Sequence, residues 1–550
     1  MNASHSPVWT DGTTEFRHTG TWRSALPDYR TLLSPCLGAC PVDGRIADWI
    51  GAVRDGDIRG AFGILVENNP FPAVIGRICH HPCQSACNRQ YLDETVSICN
   101  LERFVGDAAL ARGWMLPEPA ALGALRVAVV GSGPAGLALA YHLRRAGVGV
   151  TIFEARAKLG GLLRHGIPAY RLDKAVLDGE IDRLLAMGID VRCKTPVADA
   201  QGLAELRGSF DAVYLATGAT RPKRLEGLDY SLPQVIDSAD FLTATNVGAA
   251  VAEGERIVVI GGGSAAMDVA RTARRLGREV TVLALEPDDL LPAQRIEIDE
   301  AREEGITFET GAMMQSLGVS GAALIVNCIR VDFRPGETRG AFTIEPRAGT
   351  GFELAADLLI PSIGQDADLE EWAAVAAADG PVMATDAGWQ TGTPGLFAGG
   401  DLASMDRFVS HALGMGKQAA RAICDYLDVP AGMIPASSAD AGVSYEVINT
   451  HYHVGTGRNR AANTDAAARL LTFKEVQQAL EPTAATAEAT RCFSCGTCIY
   501  CDNCYAYCPD MAITKLARGY EVRTDYCKGC GLCVAECPTG SIQMVSEVPA

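Results

Sequence analysis

Between Val127 and Gly136 the chain reads VAVVGSGPAG, four apolar residues followed by three glycines spaced G-x-G-x-x-G, and then the apolar run LALAYHL. A β-branched strand must stop abruptly there and a helix must begin. Gly131, Gly133 and Gly136, with Pro134 and Ala135 between them, let backbone amides and a helix N-terminus come up against a diphosphate. Glycine-rich turns of this kind also occur for structural reasons alone. Here a second strand, VGVTIFEA, ends in Glu154, 23 residues past Gly131, where an acid can hold a ribose hydroxyl. The stretch reads as the seat of a dinucleotide.

The pattern recurs in RIVVIGGGSAAMDVARTARRLG, from Arg256 to Gly277. Gly261, Gly262 and Gly263 occupy the turn, Ser264 and Ala265 open the helix, and the next strand, EVTVLALE, ends at Glu286. Two such fingerprints mean two dinucleotides that must meet, one carrying hydride and the other accepting it. Between them, KLGGLLRHGIPAYRL offers Gly160 and Gly161 for close backbone approach to a flat cofactor. DAVYLATGA is a buried strand ending in Thr217–Gly218, with a purely structural turn as the competing reading. The chain returns to the first unit through ADLLIPSIGQ and TPGLFAGGDLA, whose Gly400 and Asp401 put a carboxylate at the carboxyl edge of the sheet, toward a ribityl or ribose hydroxyl. The helix-like HALGMGKQAARAICDYL closes the unit, and His411 in it reads as a packed or surface histidine.

At 550 residues the chain has room for three or four domains. A formal net charge of −18 argues against nucleic acid and anionic membrane as partners. No apolar run is long enough to span a bilayer, and the start MNASHSPVWTDGTTEF lacks a signal pattern, so a cytoplasmic location is expected. Of the 19 cysteines, only Cys99, Cys193, Cys328 and Cys424 stand apart from close spacings. Metal ligation in a reducing compartment explains this better than a secreted disulfide framework.

The tail carries an internal repeat. Cys498-x2-Cys501-x2-Cys504-x3-Cys508-Pro509 is followed by Cys527-x2-Cys530-x2-Cys533-x3-Cys537-Pro538. In this bacterial two-cluster ferredoxin pattern the fourth cysteine of each run serves the other cluster. Cys498, Cys501, Cys504 and Cys537 are thus assigned to one 4Fe–4S centre, and Cys527, Cys530, Cys533 and Cys508 to the second. Cys492 and Cys495 continue the rhythm upstream. They could permit a slipped register or bind an additional metal; the preferred reading is buried thiols, as for Cys193, Cys328 and Cys424. Near the other end stand Cys36-x3-Cys40 and Cys79-x3-Cys83-x3-Cys87, then Cys99 and Glu102. An Fe–S centre or a zinc site would suit these spacings. His80 and His81 read as capping residues or outer neighbours of a ligand.

The combination resembles the small subunit of glutamate synthase and its relatives, including the reductase half of dihydropyrimidine dehydrogenase. NPFPAVIGRIC, VSICNLERF, GSGPAGL, GGLLRHGIPAYRL, GGGSAAMDVARTARRLG and FAGGD occur in the family's order, and the resemblance covers roughly residues 30–425. It implies FAD in the first Rossmann domain, NADPH in the second, and two 4Fe–4S clusters in the N-terminal domain that pass electrons to a partner site. Carried over by position, Cys40, Cys79, Cys83 and Glu102 match one cluster, and Cys36 and Cys87 match two ligands of the other. The family's upstream C-x-x-C pair is missing: Asp28 and Thr31 stand at about those places, so Cys99 or an acid would have to substitute. NADPH-preferring members show an arginine pair after the second Rossmann strand, whereas this chain has Leu285-Glu286-Pro287. A carboxylate there pairs with a free ribose diol and repels a phosphate, so NADH is expected. The ferredoxin tail and the opening TGTWRSALPDY resemble reductases that serve 2-oxoacid:ferredoxin oxidoreductases or the dissimilatory sulfite reductase system.

The expected fold is multidomain α/β: a helical Fe–S domain (1–120), an FAD domain in two parts (121–245 and 351–430), an NAD(P) domain (246–350), a linker (431–490) and an α+β ferredoxin domain with two 4Fe–4S clusters (491–550). The expected function is an electron-transfer flavoprotein subunit of a hetero-oligomer. Hydride would pass between NAD(P)H and flavin N5, and single electrons through the clusters to a ferredoxin-like acceptor or partner oxidoreductase, with no side-chain acid or base required. The alternatives are a glutamate synthase small subunit proper and a noncatalytic redox relay or sensor.

Overall fold

The computed structural model describes residues 16–547 apart from 198, 322, 338–340, 374, 433 and 435–441. The start of the chain, read above for a signal pattern, and part of the expected linker lie outside the described residues.

A short strand, β1 (Ala25–Tyr29), precedes four main helices: α1 (Ile46–Arg54), α2 (Ile58–Val66), α3 (Pro72–Ile78) and α4 (Ile98–Ala111). In α1 the apolar residues Ile46, Trp49, Ile50 and Val53 recur at helical spacing, and all are buried. Asp57 caps α2 by accepting a 2.7 Å hydrogen bond from the Gly60 amide.

The first nucleotide unit supplies β2 (Arg126–Val130), α5 (Pro134–Arg145), β3 (Gly149–Glu154), β4 (Asp190–Cys193) and β5 (Ala212–Leu215). The second supplies β6 (Arg256–Ile260), α6 (Ser264–Arg275), β7 (Glu279–Leu283), β8 (Thr307–Glu309), a meander of β9 (Ala312–Ser320), β10 (Ala323–Pro335) and β11 (Phe342–Ala356), and β12 (Leu358–Pro361). The chain then returns to the first unit as β13 (Leu396–Ala398) and α7 (Val409–Tyr426). The two parallel sheets run β13-β5-β2-β3-β4 and β12-β6-β7-β8, and the meander forms a separate antiparallel sheet. In both parallel sheets the order reverses at the fingerprint strand, which opens a crevice at its carboxyl end.

Several local expectations change. Strand β7 stops at Leu283, so Glu286 lies in the loop beyond it. The helix expected around 467–480 is limited to Ala466–Arg469. The low-complexity EPTAATAEAT is itself a helix, α8 (Pro482–Thr490), because proline suits its first turn and alanine its interior. Its Ala485 and Ala489 are buried, and the Glu488 carboxylate accepts 2.7 Å hydrogen bonds from the amides of Ser97 and Asn459. The segment expected as a linker is therefore packed on the N-terminal helices: Glu475 also bridges Arg77 and Arg103 at 2.6 and 2.8 Å.

The ferredoxin segment contains β14 (Ile513–Lys515), β15 (Tyr520–Val522) and β16 (Ile542–Ser546). Strand β16 pairs antiparallel with β1, placing Pro27 opposite Met544. The two ends of the described chain thus share one small sheet.

Candidate cofactor sites

The two glycine-rich turns are built alike. At the end of β2, Gly131 has φ +102°, and a Cβ there would lie 2.4 Å from the carbonyl oxygen of Ala216, just past β5. At the end of β6, Gly261 has φ +132°, and its Cβ would lie 2.4 Å from the carbonyl oxygen of Ser362, just past β12. The neighbouring strand closes each turn from behind, so only glycine fits. In front, a Cβ on Gly133 or Gly263 would meet nothing within 4 Å. Each turn is closed behind and open ahead, with a helix beginning at Pro134 or Ser264, followed by Ala135 or Ala265. Free amides and the helix dipole at that opening suit a diphosphate.

Around the first opening, Gly161 comes so close to the turn that its Cβ would lie 2.8 Å from Gly133 Cα, while the Gly160 amide donates to the Ser132 carbonyl at 3.1 Å. Gly136 is held against Gly131. Glu154 is buried at the carboxyl end of β3, accepting from the Ser132 amide at 3.1 Å, the Ser132 hydroxyl and the Arg156 amide at 2.7 Å. Each carboxylate oxygen has more than one acceptor site, so ribose hydroxyls can join this set. Thr217 and Gly218 follow β5, and Gly218 at φ +78° faces open space. Gly400 adopts φ +66° beside Ala135 of α5, and the next residue, Asp401, receives no hydrogen bond from the described residues. Burial pushes its carboxyl upward and Arg407 opposes this. A carboxylate left without donors beside an open anion cradle fits the hydroxyl-bearing part of FAD.

At the second opening, a Cβ on Gly262 would lie 3.0 Å from Glu286 Oε2. The carboxylate therefore leans over the fingerprint turn, and burial pushes its proton affinity up. The two units are clamped together by Tyr170 and Arg171, which the sequence reading passed over although they lie in a quoted motif. The Tyr170 hydroxyl donates to the Asp268 carbonyl of α6 at 3.1 Å, and Arg171 pairs with Asp268 and Glu297 at 2.8 and 2.6 Å.

No three His, Cys, Asp or Glu side chains among the described residues close on a single ion. The cysteines instead ring cavities, as a multi-iron core requires. Cys508, Cys527, Cys530 and Cys533 line one of about 340 Å³. Cys36 and Cys87 line another, of about 360 Å³, which also receives Cys492 and Cys495 from the segment after α8. Cys498, Cys501, Cys504 and Cys537 share a neighbourhood in which burial, and then one another's charge, raises the first three thiols. Ser541 and Thr539 help hold Cys537 low against its burial. Cys40, Cys79, Cys83 and Glu102 form a further group, with Cys79 and Cys83 buried and Cys40 and Glu102 partly so. There burial pushes Cys79 up to about 12 and Glu102 up to about 8, and Asn69 donates to Glu102 at 2.7 Å. Thiols raised by burial are ones that a cationic iron core would deprotonate.

Cys99 is not the substitute ligand for the Cys36 set. Its thiol donates to the Gly76 carbonyl at 3.1 Å, and it does not line that cavity. His81 stands at the N-terminal boundary of the short helix Pro82–Ser85 without a side-chain capping bond, and its amide donates to Cys79 Sγ at 3.4 Å, while His80 stacks on Phe408. His411 packs beside both rings, with its Nδ1 3.7 Å from Asp406. Cys328 and Cys424 are buried, but Cys193 is only partly so.

Residues 125–419, which contain both cradles, match the family model described as pyridine nucleotide-disulphide oxidoreductase. The chain belongs to this family. Residues 31–114 match the 4Fe-4S domain II of dihydropyrimidine dehydrogenase, and residues 497–541 a 4Fe-4S dicluster domain. The chain is 32% identical over 501 residues to the NADP(+)-dependent formate dehydrogenase subunit beta of Moorella thermoacetica, covering 84% of this chain and 70% of that one. It is 31% identical to the glutamate synthase [NADPH] small chain of Escherichia coli K12 (72% and 89% covered). It is 33% identical to the NAD-dependent dihydropyrimidine dehydrogenase subunit PreT of the same organism (72% and 91%). Of some other relatives it spans about half the length.

This member of the pyridine nucleotide-disulphide oxidoreductase family is an NAD(P)H-dependent FAD and iron–sulfur electron-transfer protein. The noncatalytic alternative gives way to an enzyme. Within the matched stretch the two cysteines, Cys193 and Cys328, lie in different sheets. No helix among the described residues is long and apolar enough to cross a membrane.

Proposed function

We propose that this subunit exchanges electrons between NADH and a ferredoxin-like acceptor or a partner oxidoreductase of the 2-oxoacid:ferredoxin type. The observation that carries this reading is the β1–β16 pairing, which fastens the ferredoxin segment to the N-terminal cluster domain, so that reductase and outlet are one body. When bound, FAD supplies the exchange between hydride and single electrons that neither nicotinamide nor an Fe–S cluster performs alone. The chain's part is to hold and orient. The turn at Gly131–Gly136 and Glu154 fix one dinucleotide, the turn at Gly261–Gly263 and Glu286 fix the other, and the Tyr170–Arg171 clamp sets one cradle against the other. Amide donors to cysteine sulfur, such as the Ala512 amide at 3.2 Å from Cys508 Sγ, tune the outlet.

The test is an anaerobic titration of the full chain with NADH or NADPH, following flavin and Fe–S absorbance with a viologen as final acceptor. Bleaching of both chromophores with viologen turnover is expected. Flavin bleaching without cluster bleaching would separate the reductase from its outlet and defeat the proposal.

The preference for NADH rests on Glu286. Replacing it by arginine should raise the NADPH/NADH ratio of kcat/KM by about tenfold or more, the equivalent of roughly 1.4 kcal/mol. An unchanged ratio would remove the carboxylate from nucleotide selection. A glutamate synthase small subunit is the second reading, favoured by the likeness to that chain. Ammonia- or glutamine-dependent glutamate formation with a large subunit would establish it.

A further inference from the structure

Two cavities in this molecule have the same make-up. One, of about 340 Å³, is lined by the four cysteines that the ferredoxin spacing assigns to a single 4Fe–4S centre. The other, of about 360 Å³, is also lined by four cysteines, but these come from opposite ends of the chain. We propose that Cys36, Cys87, Cys492 and Cys495 are the ligands of a further 4Fe–4S cluster, with the C-x-x-C at 492–495 supplying the pair missing upstream of Cys36. The inference rests on the reading of the cysteine groups as Fe–S ligands.

The surroundings are those of a cluster site. The remaining wall is largely apolar, including Ile46, Ile50, Val96 and Phe493. Two of the four sulfurs accept hydrogen bonds as a thiolate would, Cys492 Sγ from the Ser494 amide at 3.4 Å and Cys495 Sγ from Asn88 Nδ2 at 3.6 Å, while the Cys36 thiol donates to the Ser34 hydroxyl at 3.1 Å, a contact the hydroxyl can reverse toward a thiolate. Zinc would draw the thiolates to about 2.3 Å from one point, and no three such side chains among the described residues close on a single ion.

The far-end pair is held in place by backbone contacts. The Leu32 amide donates to the Gly496 carbonyl at 2.9 Å, and the Gly496 amide to the Thr539 carbonyl at 2.7 Å. Gly496 sits at φ +72° with a virtual Cβ 2.3 Å from the Leu32 carbonyl, so only glycine allows the strap to close there. Upstream, Arg491 is buried and pairs with Asp93 and Glu488 at 2.9 and 2.8 Å.

The position gives the site its use. Cys36 and Cys87 flank Cys40, Cys79 and Cys83 in sequence, and Cys495 is three residues from Cys498 of the ferredoxin set. Three residues span at most about 11 Å. The site therefore bridges the N-terminal group and the ferredoxin pair, and single electrons cross it without any atom being transferred.

The experiment uses the full chain, purified without oxygen, as wild type, as the double variant Cys492→Ser/Cys495→Ser, and as Cys99→Ser for control. The double variant should lose about a quarter of its iron and acid-labile sulfide, one cluster of four. It should keep its flavin and the ferredoxin-type EPR signals, and its clusters should be reduced by NAD(P)H at least about tenfold more slowly. Cys99→Ser should match the wild type. Unchanged iron, sulfide and spin count in the double variant, or one zinc in place of the lost iron, would overturn the proposal. Should the double variant not fold, alkylation of the wild type decides: Cys36, Cys87, Cys492 and Cys495 should resist iodoacetamide and become reactive together when iron is stripped. Labelling of Cys492 and Cys495 while Cys36 and Cys87 stay protected would overturn it. Wild type without iron would instead defeat the underlying reading of all the cysteine groups.

Discussion

Gly131→Ala should purify as a folded protein without flavin and lose at least about a hundredfold in NAD(P)H-driven viologen reduction, nearly 3 kcal/mol of barrier or binding. The backbone there stands at φ +102°, which costs an alanine on the order of 1–3 kcal/mol, and the new methyl would sit 2.4 Å from the Ala216 carbonyl oxygen. Strand β5 cannot withdraw without parting from β2, so the turn must open instead, and its amides no longer converge. Gly133→Ala separates this effect from loss of fold. Its methyl meets no protein atom within 4 Å but enters the space ahead of the turn. That variant should unfold like the wild type and still bind flavin less tightly. Flavin content and thermal unfolding measured on both variants check the pair, and full flavin in Gly131→Ala would refute the cradle.

Glu304→Gln should unfold the second nucleotide unit ahead of the rest. Glu304 is 1% exposed and meets Arg271 and Arg275 each at 2.7 Å, with both arginines also buried. Burial raises its carboxyl, but the two guanidinium groups win and hold it below its ordinary range. Removing one member of a buried ionic group costs about 3–5 kcal/mol, because charge stays behind in a medium that solvates it poorly. The same arginines stack over Tyr170, with guanidinium carbons 4.9 and 3.8 Å from the ring centroid, so the loss reaches the clamp between the two cradles. Glu303→Gln is the control. Its side chain is 55% exposed and pairs with Arg469, and it should cost at most about 1 kcal/mol. Limited proteolysis and NAD(P)H binding by each variant measure the difference, and equal behaviour would refute the assignment.

The parallel sheets were legible because their signals are local. A strand, a glycine turn and a helix occupy about twenty consecutive residues, and steric rules act within that span. The antiparallel meander at 312–356 was not, since its longest strand, β11, is mostly exposed and offers little buried face to read. The alanine-rich α8 passed for a spacer because its composition is that of both a helix and a linker. Only burial against α1 and the hydrogen bonds to Glu488 separate the two.

The two glycine-rich turns and the ferredoxin repeat could be read from the chain alone, because each is made by residues close together along it. Only the folded chain brings Cys492 and Cys495, which spacing left as spare thiols, to the cavity that Cys36 and Cys87 line. Their partners, Cys36 and Cys87, lie some four hundred residues away. Their meeting depends on the pairing of β1 with β16 and on the packing of α8 against α1, contacts between distant segments that no local pattern records.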